Sequence, residues 1–66
     1  MMQPSTFKFF KDSHGKVYRK ETDYANRSWW CIREIEYGYV MHWSIHDGKP
    51  LVSLEEITEN QAINAD

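Results

Sequence analysis

The stretch from Thr22 to Tyr37, TDYANRSWWCIREIEY, decides how the rest of the chain is read. At about 100° per residue, Tyr24, Ala25, Ser28, Trp29, Cys31, Ile32 and Ile35 fall on one stripe, with Asp23, Asn26, Arg27, Arg33 and Glu34 opposite. Thr22 can cap the start of such a helix, Asp23 suits its first turn, and Gly38 can close it in a left-handed turn. Read as a strand, the same residues give two mixed faces, with Trp30 and Ile32 followed on one face by Glu34 and Glu36. The period therefore predicts an amphipathic helix over about residues 23–37, and the β-branched and aromatic residues keep strand open as the alternative. Trp29 and Trp30 cannot share a destination on either backbone. On the helix Trp29 turns inward with Ile32 and Ile35, and Trp30 turns outward between Arg27 and Arg33.

Upstream, Thr6 to Lys11 and Lys16 to Glu21 read as the arms of a β-hairpin about Ser13-His14-Gly15, with Gly15 in the left-handed position. That loop sets Phe10 opposite Tyr18, although Phe9 and Phe10 diverge and leave both faces partly apolar. Downstream, Tyr39, Met41, Trp43 and Ile45 alternate with Val40, His42, Ser44 and His46, the mark of a half-buried strand. Asp47-Gly48 then signals a two-residue turn, which pairs Ile45 with Pro50, Trp43 with Val52 and Met41 with Leu54. Pro50 cannot donate to a ladder and places this last strand at an edge. Ser53-Leu54-Glu55-Glu56 also matches a capping box, so strand and helix compete over residues 53–60.

The assembled expectation is α+β: a small antiparallel sheet built from two hairpins, about residues 6–21 and 39–54, covered by the connecting helix. Its core would be Trp29, Ile32 and Ile35 on Met41, Trp43, Ile45 and Val52, with Phe9 or Phe10 and Tyr18. The alternative is an all-β meander joining residues 29–36 and 39–46 about Tyr37-Gly38. It reverses the indoles, pairing Trp30 with Ile45 inside and leaving Trp29 outside with His46. Residues 1–66 read as a single domain with frayed, polar ends at 1–5 and 60–66.

A chain of 66 residues has little interior, and its three Trp, four Tyr and three Phe offset that by burying large areas per residue. A single Cys, with neither a long apolar run nor a signal-peptide pattern, points to a reducing, cytoplasmic setting away from membranes. The net charge of -2 is unevenly spread. Residues 1–33 carry seven bases against three acids, giving +4, and residues 34–66 carry one base against seven acids, giving -6. Attraction between the two halves accounts for this split, and +4 is too small for a dedicated nucleic-acid binder.

Cys31, His14, His42 and His46 are metal-ligand types, but on a strand His42 and His46 lie about 13 Å apart and no second Cys completes a tetrahedral set. A nucleophilic pair of Cys31 with His42 or His46 lacks an orienting third group and the volume for a cleft. Glu55, Glu56 and Glu59 read as solvated surface, and the three glycines are isolated turn residues. No catalytic residue, metal site or cofactor is expected.

Two binding readings remain. Trp30, Arg27, Arg33 and Tyr37 share the outward face of the expected helix, a composition common at interface hot spots. They make the chain a small non-enzymatic regulator or inhibitor of a larger protein, of the kind frequent in phages and mobile elements, with homodimerisation left open. Alternatively, Lys8, Phe10, Lys16, Tyr18 and Lys20 interleave bases with aromatics on the first hairpin, as a small nucleic-acid-binding protein would.

Overall fold

The computed structural model describes residues 6–64. Five antiparallel strands run in chain order, β1 (Thr6–Asp12), β2 (Val17–Thr22), β3 (Ser28–Glu36), β4 (Val40–His46) and β5 (Leu54–Ile57), followed by a short helix α1 (Glu59–Asn64). Their order in the sheet is β4-β3-β2-β1-β5, so a four-strand meander is completed by a fifth strand that returns to the first. The ends expected to fray at 1–5 and 65–66 lie outside the described residues.

The first hairpin takes the expected register, with Phe10 opposite Tyr18 and Lys8 opposite Lys20. Gly15 adopts φ 84°, and its N–H donates to the Asp12 carbonyl at 3.1 Å. The central helix does not form. Asp23 Oδ1 accepts the N–H groups of Ala25 and Arg27, each at 2.9 Å, and Asn26 sits at φ 64°. Those bonds fold residues 23–27 into a hairpin turn instead of a first helical turn. The strand that follows pairs with β2 on one side, Cys31 opposite Arg19, and with β4 on the other, Cys31 opposite Ile45. Its two mixed faces, which favoured the helical reading, are those of an inner strand partly covered from both sides.

The all-β meander is therefore the better description, with one correction to its register. Glu36 faces Val40, so the loop holds three residues and not two. Tyr37 and Gly38 both have positive φ, at 56° and 77°, and the Tyr39 N–H closes the turn on the Glu36 carbonyl at 3.1 Å. Tyr39 is the extra residue, and it slides every later pair by one. Trp30 consequently faces His46 instead of Ile45. Both indoles are half-buried, Trp29 on one face and Trp30 on the other.

The second hairpin, residues 39–54, is also corrected. A type I′ turn needs positive φ at both central residues, and of Asp47 and Gly48 only Gly48, at 74°, has it. Among the described residues β4 pairs with β3 alone, and the chain crosses the sheet through residues 47–53 so that β5 joins β1, Phe9 opposite Ile57. Pro50 is buried in this crossing segment, where no ladder requires its missing N–H. Val52 is exposed, as are Ile35, Met41 and Ile45, four residues that the hairpin-and-helix arrangement would have buried.

Residues 60–64, read as a polar tail, belong to α1. The capping box is not at Ser53 but at Thr58: the Gln61 N–H donates to Thr58 Oγ1 at 3.1 Å and the Thr58 N–H donates to Gln61 Oε1 at 2.9 Å. This cap sets Ala62, which has no exposed surface, against Phe9 and Val17, with Ile57 and Trp43 alongside. On the same face the Arg19 guanidinium lies between two rings, 4.7 Å from the centroid of Phe7 and 4.9 Å from that of Trp43. The opposite face carries Phe10, Tyr18, Trp30 and Ile32, and the crossing segment passes over part of it.

Candidate functional site

Two surfaces stand out, and they lie on different parts of the sheet. The first is the far end of the β3–β4 hairpin. β2 pairs with β3 only as far as Ile32, so among the described residues Arg33 to Glu36 have β4 as their single strand partner. Beyond the body of the sheet the hairpin continues as a two-stranded ribbon. Ile35 faces Met41 on one side of it, Glu36 faces Val40 on the other, and Tyr37 and Tyr39 crown the turn. Tyr37 is 84% exposed and Tyr39 81%, and Ile35, Val40 and Met41 are exposed as well. Glu36 Oε1 lies 3.0 Å from His42 Nε2, a pair that is ionic when the imidazole is protonated. Glu34, across from His42, adds a second carboxylate to the ribbon.

The second surface is a transverse row on the face opposite α1. Registers place Lys8 of β1 beside Lys20 of β2, Lys20 beside Trp30 of β3, and Trp30 beside His46 of β4. The Lys20 ammonium stands 5.9 Å from the Trp30 ring, and the Phe10 ring lies 5.4 Å from it, tilted by 46°. Phe10, Lys20 and Trp30 form the floor of a cleft of about 500 Å³. Its wall comes from Lys49, Val52 and Ser53 of the crossing segment and from Leu54 at the start of β5.

Beside the row, Tyr18 is buried and donates its phenol to Asp12 Oδ2 at 3.0 Å. Burial pushes the Tyr18 phenol above its ordinary range, and its bond to Asp12 and that residue's charge push it the same way. For Asp12, burial alone would raise the carboxyl. Hydrogen bonds from the Lys16 N–H, the Tyr18 phenol and the His14 N–H overcome it and hold the carboxyl below the usual range.

The four residues expected to form one outward patch are dispersed. Tyr37 is at the ribbon tip, whereas Arg27 sits in the β2–β3 turn, paired with Asp23 at 3.0 Å, at the other end of a strand about 30 Å long. Arg33 donates to the Ala62 carbonyl at 2.9 Å and ties α1 to the sheet. Trp30 lies in the cleft floor with Phe10 and Lys20. Of the residues read as a nucleic-acid face, Lys8, Phe10 and Lys20 stay together, Tyr18 is buried beneath them, and Lys16 follows the β1–β2 turn.

Cys31 is buried and points to the face opposite His42 and His46, so the conceivable thiol–imidazole pair is not assembled. Among the described residues no three His, Cys, Asp or Glu converge as a metal site, and no helix is long and apolar enough to cross a membrane. Sequence reasoning missed the ribbon partners Ile35, Tyr39, Val40 and Met41 and the cleft residues Lys49, Val52, Ser53 and Leu54. The signal for the ribbon was Tyr37-Gly38, which reads as a turn once residues 29–36 are taken as strand. No local signal marked the cleft, because its wall arrives from a segment distant in the chain. Compared with known protein families, curated proteins and solved structures, the chain matches none.

Proposed function

We propose that this chain is a small non-enzymatic regulator or inhibitor that acts by binding a larger protein through its β3–β4 hairpin, in a cytoplasmic setting that suits its reduced, buried Cys31. The observation that supports it is the ribbon tip, where Tyr37 and Tyr39 are more than four-fifths exposed beside exposed Ile35, Val40 and Met41. A protruding tip that exposes this many large apolar side chains is a common mark of an interaction site, and tyrosine is among the commonest interface anchors. The outer edge of β4 adds unpaired backbone for an incoming strand. Glu34 and Glu36 select a partner surface that is apolar at its centre and basic at its rim.

The test is a double variant, Tyr37→Asn with Tyr39→Ser, asparagine being chosen because it tolerates positive φ. Its urea midpoint should stay within experimental error of wild type while affinity for a captured partner falls at least about 30-fold, the loss of one strong anchor. Unchanged affinity would remove the ribbon from the interface. Light scattering on both proteins adds the case of a second copy as partner: a dimer that the double variant abolishes would assign the ribbon to self-association.

A further inference from the structure

We infer that the cleft on the face opposite α1 is a binding site for single-stranded nucleic acid, with phosphates on Lys8, Lys20 and Lys49 and a base against Trp30 and Phe10. Lys8 and Lys20 are direct cross-strand neighbours, and like charges in that position destabilise a sheet. Among the described residues neither forms an ion pair, and neither does Lys49 on the facing wall. Lys20 and Lys49 thus line one cleft, with Lys8 next to Lys20 on the neighbouring strand, and among the described residues none of the three has a carboxylate partner, which leaves a site complementary to a polyanion. Of the acids on that face, Glu56 stands across from Phe10 and bounds the site on the β5 side, and Asp12, further along β1, is engaged by Tyr18.

The floor adds a second requirement. Phe10 and Trp30 are half-buried rings 5.4 Å apart, tilted against each other and open to the cleft. Such a floor accepts a flat apolar ring, and a ligand that combines flat rings with regularly spaced negative charge is a nucleic acid. The row Lys8, Lys20, Trp30, His46 spans three inter-strand spacings, about 14 Å, which corresponds to about four nucleotides of a stacked strand. A duplex hides its base faces in the stack, and only a single strand can offer one to the floor. The site thus differs from the basic face read on the first hairpin alone. Tyr18 is occupied with Asp12 and Lys16 lies beyond the cleft, so both leave the set, while Trp30 and Lys49 enter it from β3 and the crossing segment.

Fluorescence anisotropy of labelled oligonucleotides about eight nucleotides long, as DNA and as RNA, tests the assignment with the intact chain. Three phosphate contacts predict a slope of log affinity on log salt near -2, so binding should weaken about 20-fold between about 50 and 200 mM salt. Lys8→Ala and Lys49→Ala alter exposed side chains and should each weaken binding and flatten the slope by about 0.7. Lys16→Ala, outside the cleft, should leave the slope unchanged. Trp30→Phe keeps an apolar ring in the floor and should weaken binding several-fold while retaining the full salt slope. Tighter binding of the RNA arm would identify a contact to the 2′-hydroxyl, and equal binding of both arms identifies the shared single-strand chemistry. Absence of binding at about 50 mM salt, a duplex bound as tightly as the single strand, or equal effects of Lys8→Ala and Lys16→Ala would overturn the proposal.

Discussion

The β1–β2 and β2–β3 turns are built to one plan, and their difference shows how burial changes what the same five residues are worth. Asp12-Ser13-His14-Gly15-Lys16 and Asp23-Tyr24-Ala25-Asn26-Arg27 each begin with an aspartate whose Oδ1 accepts the N–H groups two and four residues later. In each, the aspartate N–H donates to the carbonyl of the fifth residue, at 3.0 Å in the first turn and 2.9 Å in the second. In each, the fourth residue has positive φ, Gly15 at 84° and Asn26 at 64°. The second carboxylate oxygen separates them. Asp12 Oδ2 accepts the buried Tyr18 phenol, whereas Asp23 Oδ2 accepts Arg27 Nε at the surface. One turn is anchored by a buried phenol and the other by a solvent-exposed guanidinium.

The largest expected effect comes from removing each anchor in turn. Asp12→Ala leaves two N–H groups and a buried phenol without their acceptor and should cost about 2 to 3 kcal/mol. Asp23→Ala frees groups that water can reach and should cost less than half as much, with both read from urea midpoints by tryptophan fluorescence. Equal losses would end the claim that burial separates the turns.

Backbone conformation gives the next effect. Gly15→Ala places a Cβ at strongly positive φ and should cost about 1 to 2 kcal/mol. Asn26→Gly, at the same position of the other turn, should stay within a few tenths of a kcal/mol of wild type. A large loss at Asn26 would mean that its side chain does more than tolerate the turn.

Proton linkage is the finest probe. Both aspartate carboxyls lie below their ordinary value of 3.8. For Asp23 the chief cause is the Arg27 N–H bond. A lowered folded-state value means that the stabilisation is complete above the unfolded pKa, about 4, and is lost as pH falls through the lower folded value. The stability gap between each alanine variant and wild type should therefore narrow as pH falls below about 4 in acid unfolding. Tyr18 has the opposite sign. Its raised pKa makes stability decline as pH rises past about 10, and Tyr18→Phe, with a loss of about 1 kcal/mol at neutral pH, should remove its share of that decline.

This pair of turns also measures how much of the fold was legible. The first was read correctly because Gly15 marks it, and the register of Phe10 with Tyr18 followed from loop length alone. The second was hidden because Asn26 stands where glycine would, although the pattern of Asp, two residues, Gly or Asn, then a base recurs at 12–16 and 23–27. Once Asp23 was assigned to a helical first turn, Tyr24 to Ile35 fell into a stripe by coincidence of spacing. The candidate surfaces suffered in the same way. Tyr37 was singled out correctly as exposed, but Trp30 was assigned a helical exterior that the strand does not have.

What the sequence determined by itself is local: the first hairpin and its register, the shared face of Lys8, Phe10, Tyr18 and Lys20, the positive φ at Gly48, and the divergence of Trp29 from Trp30. Each rests on residues a few positions apart, where turn geometry and side-chain alternation act directly. The tertiary structure alone decided that β5 returns to β1, that residues 47–53 cross the sheet to wall the cleft, and that Tyr39 shifts β4 by one residue against β3. Strand partners are chosen by which edges and faces remain uncovered once the rest of the chain has packed. Nothing in a short window of sequence carries that information.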